Sequence, residues 1–397
     1  MNRLGFIDGL RGYFLVFMMI NHLNFTGGYW LVKLNHNQLA FVEDAQGFIF
    51  LSGLLVGLVY ARKMLKGGFM AGAQAVWKRA RQLYVYVLVA LAILLVAAAT
   101  LPQAAELWSP WMGDLSITDP VRVISAMLMI YQPTYMDILP QYIVYMLVSP
   151  FALWLCLHKR WGVVALISFM AWLIAQLGLH TVLTGPIDRA LAGDGPIGIR
   201  AHFNVLAWQV VFLSGVIMGA MTAQKKIPWE RIFSPDRSIL PVAALVICLF
   251  FLPLRVATGY GLMSDELLQS FMPFEVRATF GLVYLANFVA AGVGVAWLAI
   301  AGPRHRNATV RWIANALHYV MTLSFLRLIG RHSLQVYAWH IIIVYGLIYV
   351  DLRTPEFSEV TKTLIAIFGI SLLAIPALWR ERGSSDDGPK PTAPIAR

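Results

Sequence analysis

The stretch LRGYFLVFMMINHL, from Leu10 to Leu23, is an apolar run that opens with an arginine and closes with an asparagine and a histidine. Its apolar character predicts a membrane helix. Ionisable side chains are costly inside a membrane and are usually functional there. Arg11 and His22 are three helical turns plus roughly 20° apart, so a helix would place both on one face, about 16 Å apart.

The composition predicts an all-α polytopic membrane protein. The chain has 397 residues, of which 59% are hydrophobic and 13% are charged, and its mean hydropathy is +0.68. Backbone polar groups in lipid must be satisfied within each segment, so the apolar runs should be helices. The ten predicted spans are 10–30, 46–60, 83–101, 141–157, 162–179, 204–223, 239–255, 276–301, 333–350 and 360–379.

The distribution of basic residues predicts the orientation of these spans. With a cytoplasmic N-terminus, 23 of the 31 Lys and Arg residues fall in cytoplasmic segments, including six in 62–81. Both termini should therefore be cytoplasmic. The basic residues are scattered over six segments, which excludes a nucleic-acid-binding face. Arg3 and Asp8 occupy the place of an apolar signal core, so no cleavable signal is expected.

We expect one transmembrane domain, 1–380, and a disordered cytoplasmic tail, 381–397, that is rich in Ser, Asp, Pro and Gly. Cys156 and Cys248 both lie in apolar runs, which excludes a disulfide framework. Fourteen of the 20 acidic residues fall on the predicted outer side. They could form a polar substrate surface or be ordinary solvated loop residues.

The pair of Arg11 and His22 admits two interpretations. Arg11 could be an interfacial anchor at the cytoplasmic surface, and His22 a satisfied core histidine near the middle of the bilayer. Alternatively, one helix face offers a cation to an anionic head group and a proton acceptor deeper in the membrane. That arrangement suits an elongated ligand with an anionic end and a reactive end, in a cavity that runs from the inner surface past His22.

Six stretches of the chain resemble a known family in matching order. The spacing Arg11-x10-His22 is similar to the first-helix motif of the membrane acyltransferase-3 superfamily. FIFLSGLLVG (48–57) and SLQVYAWH (333–340) resemble two further motifs of that superfamily. The narrower OpgC family is resembled by IDGLRG (7–12), LPQYIVYMLVSP (139–150) and HFNVLAWQVVFLSG (202–215). The resemblance covers essentially the whole chain except the tail.

The resemblance implies an O-acyltransferase of the bacterial inner membrane. Acyl-CoA would be a cytoplasmic co-substrate rather than a bound cofactor, and the acceptor would be a periplasmic glucan. Succinyl is the acyl group that the family implies. The arginines and His22 fit this interpretation, because arginine binds phosphate in a bidentate manner and a neutral imidazole can act as a general base.

We assign the candidate site residues to three roles. His22 would be the general base, and Asp44 either orients it or is a solvated loop acid beside Glu43. Four arginines would bind acyl-CoA: Arg11, Arg79, Arg81 and Arg331. The cavity and acceptor candidates are Asn21, Gln46, Ser52, Asp137, Gln141, Tyr142, Asn204, Trp208, Gln209 and His340.

Several of these candidates have a structural alternative. Trp208 could stack on a sugar beside Asn204 and Gln209, or it could be an interfacial belt residue. His340 could contact the thioester or be a structural histidine. No His/Glu pair has zinc-ligand spacing, so no metal is expected.

Two other classes of function stay open. A transporter or flippase would use Arg11 and His22 as relay groups, and it should show discontinuous helices and paired repeats. A scaffold in a glucan-export complex would need no buried histidine. The partners expected are membrane lipids, acyl-CoA and a glycan.

Overall fold

The computed structural model describes residues 3–193 and 197–386. The regular elements in these ranges are helices, and Tyr131 and Arg200 form an isolated bridge. This confirms the all-α prediction. The α-helices are α1 Arg3–His22, α2 Asp44–Thr100, α3 Ala104–Leu107, α4 Ser109–Met112, α5 Pro120–Met127, α6 Ile138–Leu157, α7 Trp161–Gln176, α8 Thr181–Ala192, α9 Val205–Ala223, α10 Trp229–Ile232, α11 Ile239–Gly259, α12 Asp265–Phe271, α13 Leu282–Ile300, α14 Ala308–Met321, α15 Ser324–Arg331, α16 Ser333–Arg353, α17 Glu359–Leu372 and α18 Ala374–Asp386. Four short 3-10 helices cover Trp30–Leu34, His36–Gln38, Met272–Phe274 and Gly302–Arg304.

The chain is a multi-pass membrane protein. In the described ranges, seven helical segments are long and apolar enough to cross a membrane: α2, α6, α9, α11, α13, α16 and the segment Glu359–Arg382. Two bent pairs, α7 with α8 and α14 with α15, raise the number to nine if each pair is one span. The described structure therefore offers seven to nine candidate spans, with α2, which contains the predicted spans 46–60 and 83–101, counted once.

The first predicted span, 10–30, is wrong in its second half. Helix α1 ends at His22, and the chain then turns through Gly27 and Gly28, whose φ angles are 75° and 71°. Thr26 fixes this turn by donating its backbone N–H and its hydroxyl to Asp351. His22 is consequently the last residue of α1. The expected position near the middle of the bilayer would instead require His22 to lie in the middle of a helix.

The basic segment 62–81 is not an irregular loop but contains a kink between two helices. These two helices together make up α2, and they join where Gly68 takes a φ of 78°. Helix α18 likewise continues to Asp386, so the first residues of the predicted tail 381–397 are helical. Residues 387–397 lie outside the described part of the chain.

Helices α2 and α9 are in direct backbone contact through glycines. Each contributes two glycines four residues apart, Gly53 and Gly57 from α2, Gly215 and Gly219 from α9. A Cβ atom at any of these positions would lie 2.1–2.4 Å from a backbone carbonyl oxygen of the facing helix. Small residues at this spacing allow membrane helices to approach closely.

The same kind of packing holds α1 against α15. A Cβ atom on Gly12 would lie 2.0 Å from the carbonyl oxygen of Leu326, and one on Gly330 would lie 1.8 Å from that of Asp8. Gly9 meets the carbonyl of Met321 in the same way. These contacts fix the helix that carries both Arg11 and His22.

We expect Gly57→Val to lower the melting temperature of the purified protein in detergent. The added side chain would collide with the Val216 carbonyl, at 2.3 Å from the Cβ position, and overpacking of this kind typically costs about 1–3 kcal/mol. Gly346→Ala in α16 is the control, because no heavy atom lies within 4 Å of its Cβ position. Equal melting of Gly57→Val and wild type would contradict the close contact.

Candidate functional site

The described structure contains a cavity of about 560 Å³ where several helix ends meet. It is lined by the last residues of α1, the first residues of α2 and α6, and the segments just before α9 and α13. Polar and ionisable side chains dominate its wall, including His22, Asp44, Asp137, His202 and Arg277. In the predicted topology this cavity lies on the outer side.

The imidazole ring of His22 is held by a hydrogen bond at one edge and by aromatic stacking on one face. Its Nδ1 lies 2.9 Å from Nε2 of His340, and its ring stacks on Tyr135 with the centroids 4.2 Å apart. His340 is 1% exposed, and its Nδ1 is hydrogen-bonded to the carbonyl oxygen of Tyr337. The structure thus brings two of the predicted site residues together, His22 and His340.

Asp44 does not contact His22 in the way that the sequence predicts. Its Oδ2 accepts hydrogen bonds from Asn21 Nδ2 at 2.7 Å and from Asn35 Nδ2 at 2.9 Å. The hydrogen-bond partner of His22 is instead His340. Asp44 reaches His22 only through the neighbouring residue, Asn21, because it is the first residue of α2 and faces the loop after α1.

A second histidine, His36, lies beside Asp44, and the sequence analysis missed it. Its Nδ1 is 3.8 Å from Asp44 Oδ1 and 3.2 Å from the Tyr13 hydroxyl. Burial lowers the pKa of His36 to about 4. His36 is in a short 3-10 helix, where neither helical nor strand periodicity could indicate its position. The feature of the sequence that could have identified His36 is the polar run Asn35–Gln38 in the outer segment after α1.

Tyr135 adopts a backbone conformation that is unusual for a residue other than glycine, with a φ of 73°. Its hydroxyl accepts hydrogen bonds from Asn24 and Trp111, each at 3.1 Å, and its carbonyl accepts one from the Tyr337 hydroxyl at 2.8 Å. Strained residues persist only where the surrounding contacts hold them, and they cluster at functional sites. Here the strain places an aromatic ring against His22.

Arg11 lies outside the cavity that contains His22. It is 8% exposed, its guanidinium carbon is 5.7 Å from the centre of the Phe48 ring, and its Nε has no hydrogen-bond partner in the described part of the chain. Asp8, Arg79 and Tyr142 lie within electrostatic range of it. The cavity at His22 does not extend to Arg11, so it is not the continuous cavity from Arg11 past His22 that the sequence predicts.

The other three predicted acyl-CoA arginines are not gathered around Arg11. Arg79 is near it but donates to Gln82. Arg81 is exposed, and Arg331 is bonded to Glu381 at 2.7 Å. The structure brings only Arg79 close to the buried guanidinium.

Three predicted acceptor residues at the start of α9 have side-chain partners away from the cavity. Asn204 caps α9 through the backbone N–H groups of Leu206 and Ala207. Trp208 is 0% exposed and donates to backbone carbonyls at 277 and 278. Gln209 pairs with Ser168 on a different face. None of the three lines the cavity.

Four further candidates are buried next to the site without lining it. Gln141 bonds the Phe203 carbonyl and the Tyr145 hydroxyl, and Gln46 takes part in the N-terminal capping box of α2. Ser52 lies beside the side chain of Tyr142, which is itself within electrostatic range of Arg11. Among the predicted acceptor residues, Asn21 and Asp137 line the cavity.

Arg255 and Arg277 also line the cavity, and the sequence analysis did not select them. Arg277 is 3.4 Å from Glu43, and Arg255 is 3.7 Å from Glu275. Both belong to the eight basic residues on the predicted outer side, where the topological bias gives no reason for an arginine. An arginine on the predicted outer side is therefore the feature of the sequence that could have identified Arg255 and Arg277.

Fold and site define a class: a multi-pass helical membrane protein with a histidine pair at a polar cavity. The chain belongs to the OpgC family, since the family model described as OpgC protein matches residues 3–385. Membership in this family implies an acyltransferase activity. No curated protein and no solved structure gives a significant match. Placement in the wider acyltransferase-3 superfamily stays a prediction.

We expect the stability of the wild-type protein to fall between about pH 6.5 and pH 4 partly because of His36. Burial holds its folded-state pKa at about 4, below the ordinary histidine value of 6.5. In that pH range the unfolded chain therefore binds more protons, which favours unfolding as the pH falls. Melting temperatures measured across this range should decline less steeply for His36→Gln. An identical slope would show that His36 is not buried as a neutral group.

Proposed function

We propose that this protein is a transmembrane O-acyltransferase that moves an acyl group from cytoplasmic acyl-CoA to a hydroxyl of a periplasmic glucan. The observation that carries the proposal is the state of His22 at the cavity. One ring nitrogen, Nδ1, is occupied by His340, and the other remains for a substrate in a cavity that the ring itself lines. A neutral imidazole held in this way is suited to act as a general base.

The reaction would proceed by direct attack of the glucan hydroxyl on the thioester carbon. A carbon–oxygen bond forms while the carbon–sulfur bond breaks. His22 Nε2 takes the hydroxyl proton, and the proton then passes to the departing CoA thiolate. Positioned general bases typically contribute about 10²–10⁴ in rate.

The wall of the cavity is suited to a carbohydrate acceptor. Amide groups of Asn21, Asn24 and Asn37 and the carboxylate of Asp137 line it together with the rings of Tyr135 and Phe203. Amides and carboxylates bond sugar hydroxyls, and an aromatic ring offers an apolar face to a sugar. Arg255 and Arg277 supply the cations that a carboxylate-bearing acyl group such as succinyl would need.

The donor would extend from the region of Arg11 to His22. Both residues are on α1, and Arg11 Nε is buried there without a hydrogen-bond partner among the described residues. Buried polar atoms of this kind call for a ligand, a water or a rearrangement that satisfies them. A phosphate of CoA would accept a hydrogen bond from Arg11, and the thioester-bearing arm of CoA would then pass between α1 and α2. The protein would occupy the bacterial inner membrane, where acyl-CoA and periplasmic glucan face opposite sides.

A transporter or flippase is the second candidate, and the two bent helix pairs favour it. The angle between α7 and α8 is 59°, and that between α14 and α15 is 57°. Broken helices are typical of transporter binding sites. Neither pair contributes a residue to the cavity wall around His22, so the acyltransferase has the stronger support.

The most direct cellular test is mass spectrometry of glucans from wild-type and deletion strains. Loss of one acyl mass in the deletion strain, restored by the wild-type gene, supports the proposal and identifies the acyl group. Loss of all exported glucan would favour the transporter instead. Unchanged glucans in the deletion strain would contradict a role in glucan acylation.

Arg11→Ala should weaken acyl-CoA binding by about tenfold to a hundredfold, the range expected for a lost hydrogen bond to a charged group. Turnover at saturating donor should change much less, because a phosphate contact is made equally in the ground and transition states. Titration of the purified protein with acyl-CoA measures the first effect. The control is Arg62→Ala, which removes an exposed arginine from α2. Unchanged affinity with reduced turnover would contradict the phosphate contact.

His22→Ala should leave a folded protein that binds acyl-CoA and transfers no measurable acyl group to oligoglucose. The substitution removes the proton acceptor from the cavity but takes a costly polar group out of a membrane protein, so folding should survive. Asp44→Asn should give a partial loss, because Asp44 reaches His22 only through Asn21. Acyl incorporation is the measurement, and thermal melting checks the fold. A folded, fully active His22→Ala protein would refute the assignment of the base.

A further inference from the structure

We infer that His340 is the positioning residue that fixes the proton on His22, the role that the sequence predicts for Asp44. The inference rests on the proposed function, because it concerns how His22 becomes competent as a base. Its geometrical basis is the chain of hydrogen bonds from the Tyr337 carbonyl through His340 to His22.

The direction of this chain follows from what each atom can do. A carbonyl oxygen only accepts, so the Tyr337 carbonyl requires a proton on His340 Nδ1. In a neutral imidazole the other nitrogen is then an acceptor, so His340 Nε2 must receive a proton from His22 Nδ1 at 2.9 Å. His22 Nε2 is left unprotonated. That is the nitrogen and the tautomer that general-base catalysis needs.

The same turn of α16 also fixes the face of the His22 ring. The hydroxyl of Tyr337 donates to the carbonyl oxygen of Tyr135 at 2.8 Å, and the Tyr135 ring stacks on His22 at an interplanar angle of 29°. Tyr337 therefore contributes its carbonyl to the hydrogen-bond chain and its hydroxyl to the stacking residue. Two independent contacts from residues 337–340 restrict both the rotation and the tautomer of the imidazole.

Asp44 is poorly placed for this role. Its Oδ2 is shared by Asn21 and Asn35, and the other oxygen lies nearest to His36. A carboxylate at His22 would also stabilise a protonated imidazolium, whereas a neutral histidine orients the ring without adding charge. His340 therefore favours a base that passes its proton on to the leaving thiolate.

A pair of amide substitutions separates positioning from simple packing. The side-chain oxygen of glutamine in His340→Gln extends as far as Nε2 of the histidine and can accept from His22, whereas that of asparagine in His340→Asn cannot. We expect His340→Asn to lower kcat by about tenfold or more, within the limit set by the base itself. His340→Gln should stay within a few-fold of wild type. Affinity for succinyl-CoA should be unchanged in both.

The matched control is His158→Asn in the exposed turn after α6. His158 also bonds a carbonyl one helical turn earlier, that of Trp154 at 2.8 Å, but it lies away from the cavity. It should retain wild-type kcat. Thermal melting of every variant checks the fold. If neither His340 variant folds, Tyr337→Phe tests the same turn, since it frees the Tyr135 carbonyl and should lower kcat without changing donor affinity.

Equal kcat for His340→Asn and wild type would overturn the positioning role, and so would equal losses in folded His340→Gln and His340→Asn. A loss expressed only in donor affinity would assign His340 to acyl-CoA binding instead. If the wild-type protein transfers no acyl group from succinyl-CoA or acetyl-CoA to oligoglucose, the proposed function itself fails. In that case the positioning role falls with it.

Discussion

The hydrogen bond between His22 and His340 joins residues 318 positions apart in the chain. It links the end of α1 to the middle of α16, and both rings lie where the polar groups of a membrane protein need partners. Each histidine satisfies the other, and the Tyr337 carbonyl ends the chain. Because these partners satisfy all but one of the four ring nitrogens, the His22–His340 pair presents one imidazole nitrogen, Nε2 of His22, to the cavity.

This hydrogen bond requires α1 to be placed accurately, and the glycine contacts provide that placement. Gly9 packs on the end of α14 and Gly12 on the backbone of α15, and Gly330 returns the contact on α1. On the other side of the site, the glycines of α2 and α9 interlock in the same way. The first turn of α2 then carries Asp44 to Asn21, beside His22. Close backbone contacts of this kind leave little freedom to move one wall of the cavity without the other.

The sequence predicted the helical class and the multi-pass membrane character well, because these depend on local composition and on helix periodicity. It could not predict which residue faces His22. His340 was selected from a resemblance to a family motif, and its contact with His22 depends on tertiary packing that spacing does not encode. Asp44 shows the same limit: its position before a span left open an orienting acid or a solvated loop acid, and only the fold shows its carboxylate bonded to Asn21 and Asn35.

The buried candidates on α9 show the opposite limit. Asn204, Trp208 and Gln209 have the residue types of a sugar site, but helix capping and core packing use all three. Arg255 and Arg277 occupy the cavity wall instead. Composition identifies side chains that are able to bind a ligand, and only the fold determines which of them are free to do so.

The central claim is that one protein transfers an acyl group from one side of the membrane to a sugar on the other. It is tested most directly in proteoliposomes, with acyl-CoA supplied outside and oligoglucose enclosed inside, followed by mass spectrometry of the enclosed sugar. Protein molecules with their cytoplasmic face outward should add the acyl mass to the enclosed oligoglucose without leakage of CoA. Acylation only when donor and acceptor share a compartment, or none at all, would contradict transfer across the membrane through the site at His22.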